Sequence, residues 1–117
     1  MQNQPLLLSS LLRHADRFHA NTEIVSRTVE GPIHRYTYRD AARRARQLAS
    51  ALQRHGIAHI DRVATLAWNT WRHLECWYGI VGIGAIYHTL NPRLFPEQIA
   101  WIMNDAEDRI IFADVTF

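Results

Sequence analysis

The sequence predicts an α/β domain in which helices pack on a mostly parallel sheet, with a β-hairpin near the N-terminus. Three short apolar segments, residues 62–67, 85–89 and 109–113, alternate with segments of helical periodicity, and the links between them are short. Strand–helix–strand units of this kind favour right-handed crossovers and parallel pairing. These segments therefore predict a parallel sheet covered by helices.

The residues before this sheet predict a helix followed by the hairpin. Two β-rich segments, residues 22–28 and 33–38, flank the turn residues Glu30-Gly31-Pro32 and favour a hairpin. Apolar side chains at three- and four-residue spacing predict a helix over residues 6–19. They are Leu8, Leu11, Leu12, Ala15 and Phe18.

A second helix is predicted over residues 38–55. Thr37 and Asp40 have the spacing of a capping box, with Asp in place of the usual Glu or Gln. Gly56 is suited to ending the helix in a left-handed conformation. The predicted buried stripe consists of Ala41, Ala45, Leu48, Ala49 and Leu52.

Two more helices are predicted to connect the strands. Asn69 or Thr70 can cap a helix that runs to about residue 82. Pro96 suits the first turn of the other helix, and Glu97 near its start favours the helix dipole. A loop, residues 90–93, lies before that last helix.

Composition indicates a globular protein and argues against nucleic-acid binding. Of the 117 residues, 48% are hydrophobic and 21% are charged. All 13 basic residues are Arg, and they are interleaved with 11 acids to give a net charge of only +2. No single-sign face and no nucleic-acid reading motif can be identified. The densest group, Arg39, Arg43, Arg44 and Arg46, is predicted to lie mostly on the solvated side of one helix.

The N-terminus does not resemble a secretory signal. No basic residue precedes Leu6-Leu7-Leu8, charged residues follow soon after, and no apolar stretch approaches ~18 residues. A cytoplasmic protein without a transmembrane segment is therefore expected. Cys76 is the single cysteine and lies in an apolar run, where we expect a small core residue.

Several residue patterns suggest chemistry, but simpler interpretations explain them better. Gly79, Gly82 and Gly84 come at the end of a predicted helix and not between a strand and a helix, so they favour helix termination or close packing over phosphate binding. The seven histidines show no metal-binding motif, and the serines lack a nucleophile elbow. The four tryptophans favour core packing, although Trp68 follows a strand where α/β sites cluster.

From Asp61 onward, the order of short motifs becomes specific. The most specific run is His88-Thr89-Leu90-Asn91-Pro92-Arg93-Leu94. With the other motifs, it resembles the medium- and long-chain fatty-acyl-CoA synthetase branch of the adenylate-forming, AMP-binding ligases. The others are Tyr36-Thr37-Tyr38-Arg39-Asp40, Asp61-Arg62-Val63-Ala64-Thr65-Leu66, Asn69, Arg72-His73-Leu74-Glu75, Gly84-Ala85, Pro96-Glu97-Gln98-Ile99 and Ala106-Glu107-Asp108-Arg109.

This resemblance implies a ligase that uses ATP, Mg²⁺ and coenzyme A. The family joins a fatty acid or other carboxylate to AMP and then transfers the acyl group to the coenzyme A thiol. The Ser/Thr/Gly-rich phosphate loop of the family ends in Lys, and this chain contains no Lys. Residues 1–117 are therefore expected to be an incomplete N-terminal portion of the AMP-binding domain, inactive alone and binding none of these cofactors. An apolar strand at the very end also suggests that the polypeptide continues, since a parallel sheet needs cover on both faces.

The candidate site residues on this chain lie around the loop after the second predicted strand: His88, Thr89, Asn91 and Arg93. Ligand sites in parallel sheets lie beyond the carboxyl ends of the strands. Pro92 stiffens the loop, Asn91 can hydrogen-bond nearby backbone, and Arg93 can bind a carboxylate or a phosphate. His88 can hydrogen-bond across the sheet or towards the site. The loop either supports the active-site side of a complete ligase or only braces the domain.

The main alternative is a non-catalytic α/β domain that packs or dimerises. It would need no phosphate loop and could form a homodimer through its uncovered surfaces. We predict no catalytic residue in this stretch under either interpretation.

Overall fold

The computed structural model describes residues 3–117. The sequence predicts that the N-terminal segment is not a secretory signal peptide. The first two residues of that segment, Met1 and Gln2, lie outside the described residues. Each predicted helix and strand is present, with its ends within two residues of the expected positions. The helices are α1 (Leu8–Phe18), α2 (Tyr38–Arg54), α3 (Trp71–Gly82) and α4 (Pro96–Asp105), and the strands are β1 (Glu23–Arg27), β2 (Ile33–Thr37), β3 (Arg62–Leu66), β4 (Ile86–Thr89) and β5 (Ile110–Ala113).

The strands form two sheets. β1 and β2 pair antiparallel as the predicted hairpin. The other three strands are parallel in the order β4-β3-β5, so β3 is central. Both the hairpin and the parallel sheet predicted from the sequence are therefore confirmed.

The core lies between α2, α3 and one face of the parallel sheet. Val63 and Ile80 are fully buried, and Leu52 is 2% exposed. Leu48, Cys76, Ile83, Tyr87, Ile110 and Phe112 pack against this cluster. Burial raises the pKa of the Cys76 thiol to about 11, so the thiol is protonated at neutral pH, as expected of a core cysteine.

Local signals set both ends of α2. The Thr37 hydroxyl accepts the Asp40 amide at 3.3 Å, and the Asp40 carboxylate accepts the Thr37 amide at 3.2 Å. This is the predicted capping box. Gly56 follows the helix with a φ of +81°, which confirms the predicted left-handed conformation.

The start of α3 differs from the prediction. Thr70 occupies the N-cap position, but its side chain makes no capping hydrogen bond. The Trp71 amide instead donates to the Ser26 hydroxyl at 3.1 Å. The hairpin packs against the first turn of α3 and supplies this acceptor. The predicted N-cap position of Thr70 is therefore confirmed, but the capping hydrogen bond from its side chain is not made.

The glycine cluster serves packing and helix termination. A Cβ atom on Gly79 would lie 2.9 Å from Leu48 Cδ2 and 3.0 Å from the Ala45 carbonyl, so this glycine lets α2 and α3 approach closely. Gly84 has a φ of +75° after the end of α3. Both observations confirm the structural interpretation of the cluster.

One arginine of the predicted solvated group has a different role. Arg44 Nε lies 2.6 Å from a carboxylate oxygen of Glu75, whose side chain is only 7% exposed. Burial raises the pKa of Glu75, and the Arg44 charge opposes that shift. The pair ties α2 to α3, whereas Arg43 and Arg46 lie at the surface as predicted.

Candidate functional site

The loop after β4 lies at the carboxyl edge of the parallel sheet. Leu90 is buried, and its amide donates to the Thr65 carbonyl at 2.8 Å, which extends the ladder between β4 and β3. Asn91 Oδ1 then accepts the Arg93 amide at 3.0 Å. This side-chain-to-backbone bond shapes the turn as its sequence predicts.

His88 and Thr89 are directed to opposite faces of the sheet, since successive strand residues alternate. His88 shares a face with its register partner Ala64, and Thr89 shares the other face with Thr65. His88 Nδ1 lies 2.8 Å from Asp108 Oδ2. Of the two contacts allowed by the sequence, the histidine makes the one across the sheet.

The four candidate residues are therefore not one cluster. Arg93 is exposed, and its guanidinium has no acidic partner among residues 3–117. Thr89 lines a cleft, whereas His88 faces away from it. The loop presents a free cation at the edge of the sheet and is braced from the opposite face by His88.

The cleft is the site feature that sequence reasoning missed. It has a volume of ≈ 640 Å³ and lies between the hairpin, the first turn of α3 and the end of β4. Its walls are mainly apolar, with a few polar groups at the sheet edge. The lining residues that matter most for its chemistry are Ser26, Asn69, His73, Tyr87 and Thr89.

His73 is the titratable group most closely tied to the sheet edge. Its Nε2 atom lies 3.1 Å from the Thr65 hydroxyl, and its ring lies against that of Tyr87. Burial lowers the pKa of His73, while the nearby Asp114 charge acts in the opposite direction. The neutral imidazole is thus favoured inside the cleft.

Trp71 anchors the hairpin to the helices. His34 stacks on its ring with centroids 4.3 Å apart. The guanidinium carbons of Arg44 and Arg72 lie 4.9 Å and 4.8 Å from the ring centroid. These contacts confirm the packing role predicted for this tryptophan and hold the outer wall of the cleft in place.

Trp68 lies at the same edge, after β3. Its amide donates to a carboxylate oxygen of Asp114 at 2.7 Å, and Asp114 is itself 8% exposed. The indole Nε1 donates to the Thr116 hydroxyl at 3.3 Å. Trp68 therefore links the ends of β3 and β5, and the residue is still 43% exposed.

Polar groups that follow all three parallel strands thus meet at one edge of an α/β sheet, the arrangement of ligand-binding α/β enzymes. Comparison with known proteins gives the family. The sequence model of the family described as AMP-binding enzyme matches residues 11–116. The chain belongs to the AMP-binding enzyme family.

Curated relatives match along essentially the whole chain. A 3-methylmercaptopropionyl-CoA ligase from Ruegeria lacuscaerulensis is 50% identical over 117 residues, which is 100% of this chain and 22% of the relative. A medium-chain-fatty-acid–CoA ligase from Ectopseudomonas oleovorans is 47% identical over 100% of this chain and 21% of its own length. A long-chain-fatty-acid–CoA ligase from Thermus thermophilus is 43% identical over 97% of this chain and 21% of its own length. The chain thus spans about a fifth of the length of these relatives.

Solved structures share the fold. An anthranilate CoA ligase in complex with anthranoyl-AMP matches with a TM-score of 0.87 at 24% identity, over 100% of this chain and 23% of that chain. A fatty acyl CoA synthetase from Mycobacterium tuberculosis matches with a TM-score of 0.75 at 24% identity, over 90% of this chain and 20% of that chain. Both share the α/β arrangement that the sequence predicts for this chain.

Proposed function

We propose that this chain forms part of an acyl-CoA ligase. In the first step the carboxylate of a fatty acid or similar acid attacks the α-phosphate of ATP, which forms an acyl-adenylate and releases pyrophosphate. The coenzyme A thiol then attacks the acyl carbonyl, which forms the thioester and releases AMP. The observation that carries this proposal is the 50% identity to a CoA ligase over all 117 residues.

The residues of this chain do not fit a site for ATP or Mg²⁺. Phosphate chemistry requires cations and preorganised donors around the transferring group. Residues 3–117 contain no group of three His, Cys, Asp or Glu side chains that could hold a metal ion. Gly79 packs against α2, Gly84 lies against His59, and the sequence contains no Lys. We infer that these groups come from other parts of the ligase.

The contribution that we propose for this stretch is support of the active-site side. Asn91 shapes the loop after β4, and Arg93, which has no acidic partner within residues 3–117, presents an exposed guanidinium at the edge of the sheet. Thr89 lines the adjoining cleft, and the contact between His88 and Asp108 braces β4. The loop would position neighbouring segments or a phosphate without taking part in bond making. The bracing interpretation fits His88 best, because that side chain faces away from the cleft.

A packing or dimerisation domain is the second candidate. It is favoured by Ile86 and Ile111, which are 47% and 38% exposed on the sheet face opposite the core. Uncovered apolar side chains and strand edges favour association. The homodimer and the cytoplasmic location expected from the sequence belong to these proposals. Within residues 3–117, no helix has the length and apolar character required to cross a bilayer.

Pyrophosphate release tests the proposed function. The complete polypeptide that contains these residues is incubated with ATP, Mg²⁺, coenzyme A and a panel of 3-methylthiopropionate, octanoate and palmitate. We expect acid-dependent release of pyrophosphate and formation of the thioester, and no release from the 117-residue chain alone. Turnover by the chain alone would show that it holds catalytic groups. No turnover by the complete polypeptide with any acid would favour the packing domain.

A further inference from the structure

Helix α1 leaves a row of apolar side chains uncovered. Leu11 and Phe18 are seven residues apart and lie on one side of the helix, and Leu7 precedes them at its N-cap. The three residues are 53% (Leu7), 56% (Leu11) and 62% (Phe18) exposed. Leu6 and Leu8 extend the exposed apolar surface at its start. No residue of α1 is fully buried, although the helix packs on α2. His14 lies between Leu11 and Phe18 on this side, with its ring 4.8 Å from that of Phe18. Exposed apolar side chains grouped in this way mark an interaction surface, whereas scattered ones do not.

Positive charge is concentrated in the part of the chain that carries this helix. Residues 1–54 contain nine Arg and four acids, whereas residues 55–117 contain four Arg and seven acids. Each of the four acids in the first part has an arginine partner. The pairs are Asp16–Arg46, Glu23–Arg35, Glu30–Arg72 and Asp40–Arg43.

Three arginines, two on α1 and one on α2, stand apart from these ion pairs. Within residues 3–117, no acid lies within salt-bridge distance of Arg13, Arg17 or Arg39. Phe18, Arg17 and Arg39 line one shallow concavity at the surface. The Arg17 guanidinium carbon lies 5.3 Å from the centroid of the Phe18 ring. An exposed aromatic side chain and two free cations are therefore presented together.

We propose that α1, with Arg13, Arg17 and Arg39, is a docking surface for an anionic lipid bilayer. An apolar row on a helix flanked by arginines is the chemistry of helices that lie in the bilayer interface. The leucines and Phe18 would enter the boundary between headgroups and acyl chains, while the arginines bind lipid phosphates. A second copy of the chain fits this surface less well, because a two-fold contact along the apolar row would bring the unpaired arginines of both copies close together.

Vesicle flotation tests this proposal with the 117-residue chain, and it needs neither ATP nor an acid substrate. We expect binding to vesicles of equimolar phosphatidylcholine and phosphatidylglycerol, little binding to pure phosphatidylcholine, and weaker binding as salt increases. The double variant Arg13→Gln with Arg17→Gln should bind the mixed vesicles roughly 25-fold more weakly, since each arginine near an anionic surface contributes about fivefold. The double variant Leu11→Ser with Phe18→Ser should also lose binding.

Two matched controls lie outside the proposed surface. Trp101 on α4 is 66% exposed, and the Arg109 side chain is 55% exposed. Trp101→Ser and Arg109→Gln should leave vesicle binding within twofold of the parent chain, and circular dichroism should show equal helix content in all variants. Equal binding to neutral and anionic vesicles would overturn the proposal, as would a comparable loss in the controls. A dimer that dissociates on the Leu11 and Phe18 changes, without vesicle binding, would assign the surface to a second copy.

Discussion

The Nδ1 atom of His88 lies 2.8 Å from Oδ2 of Asp108, a carboxylate whose side chain is only 1% exposed. β4 and β5 do not pair with each other, because each is hydrogen-bonded to β3. The contact therefore connects β4 to the turn between α4 and β5, on the other side of the central strand. Ala64 is the register partner of His88 on β3 and is fully buried, and its small side chain leaves space for this bridge.

Loss of the His88 side chain should destabilise the domain. His88→Ala leaves the buried Asp108 carboxylate without this partner, which we expect to lower the free energy of unfolding by about 2 kcal/mol. Urea unfolding measures the change. His55→Ala, at an exposed position, is the matched control and should change the unfolding free energy by less than about 0.5 kcal/mol. If Asp108→Ala lowers the free energy of unfolding equally in the parent chain and in the His88→Ala variant, the two residues are not coupled.

Close packing predicts opposite effects for two glycines of α3. Gly79→Ala would place a Cβ atom 2.9 Å from Leu48 Cδ2 and 3.0 Å from a backbone oxygen, so α2 and α3 must separate. We expect a loss of about 1–3 kcal/mol in unfolding free energy. Gly82→Ala has no heavy atom within 4 Å of the new Cβ and should be neutral or slightly stabilising. Equal thermal stability of the two variants would contradict the packing role of Gly79.

The ends of helices could be predicted from the sequence where the residues that determine them are close together in the chain. Thr37 and Asp40 are three residues apart and cap α2 with their own side chains. The acceptor at the start of α3 comes instead from Ser26, which is 45 positions away from Trp71 in sequence. Nothing near Trp71 indicates that a hairpin hydroxyl replaces the nearest candidate, Thr70. The ends of a helix or strand can be predicted from neighbouring residues. The hydrogen-bond partners that join two elements depend instead on tertiary packing.

The same distinction applies to the candidate site. The bend of the loop follows from Asn91 and Pro92, and the structure contains the expected bond from the Arg93 amide to Asn91. The cleft beside it is walled by the hairpin and by α3, which are distant in sequence. Periodicity shows which residues share a face of one element, but it does not show which hairpin covers that face.

Burial of His73 should make stability depend on pH. Because burial lowers its pKa below the ordinary value of 6.5, the unfolded chain takes up a proton before the folded chain does. The free energy of unfolding should therefore fall as pH decreases below about 6.5. His73→Gln keeps a polar group near Thr65 and removes this contribution. Urea unfolding at pH 7.5 and pH 5 compares the two proteins, and an equal pH dependence in both would contradict the assignment.

Arg93 should support catalysis in the complete ligase without being part of the reacting centre. Its guanidinium is exposed at the carboxyl edge of the sheet, and its amide is held by Asn91. Arg93→Ala removes the cation and leaves that backbone bond in place. We expect a higher KM or a modest loss of stability, with a smaller loss of kcat than follows removal of the lysine in the phosphate loop.

Arg93→Lys keeps the charge but not the planar five-donor fork, so it should recover part of the loss if the partner binds mainly by charge. Steady-state kinetics of adenylate formation, with thermal unfolding as the check on folding, measures both effects. A folded Arg93→Ala ligase that forms no adenylate would place Arg93 among the catalytic residues and overturn the supporting role.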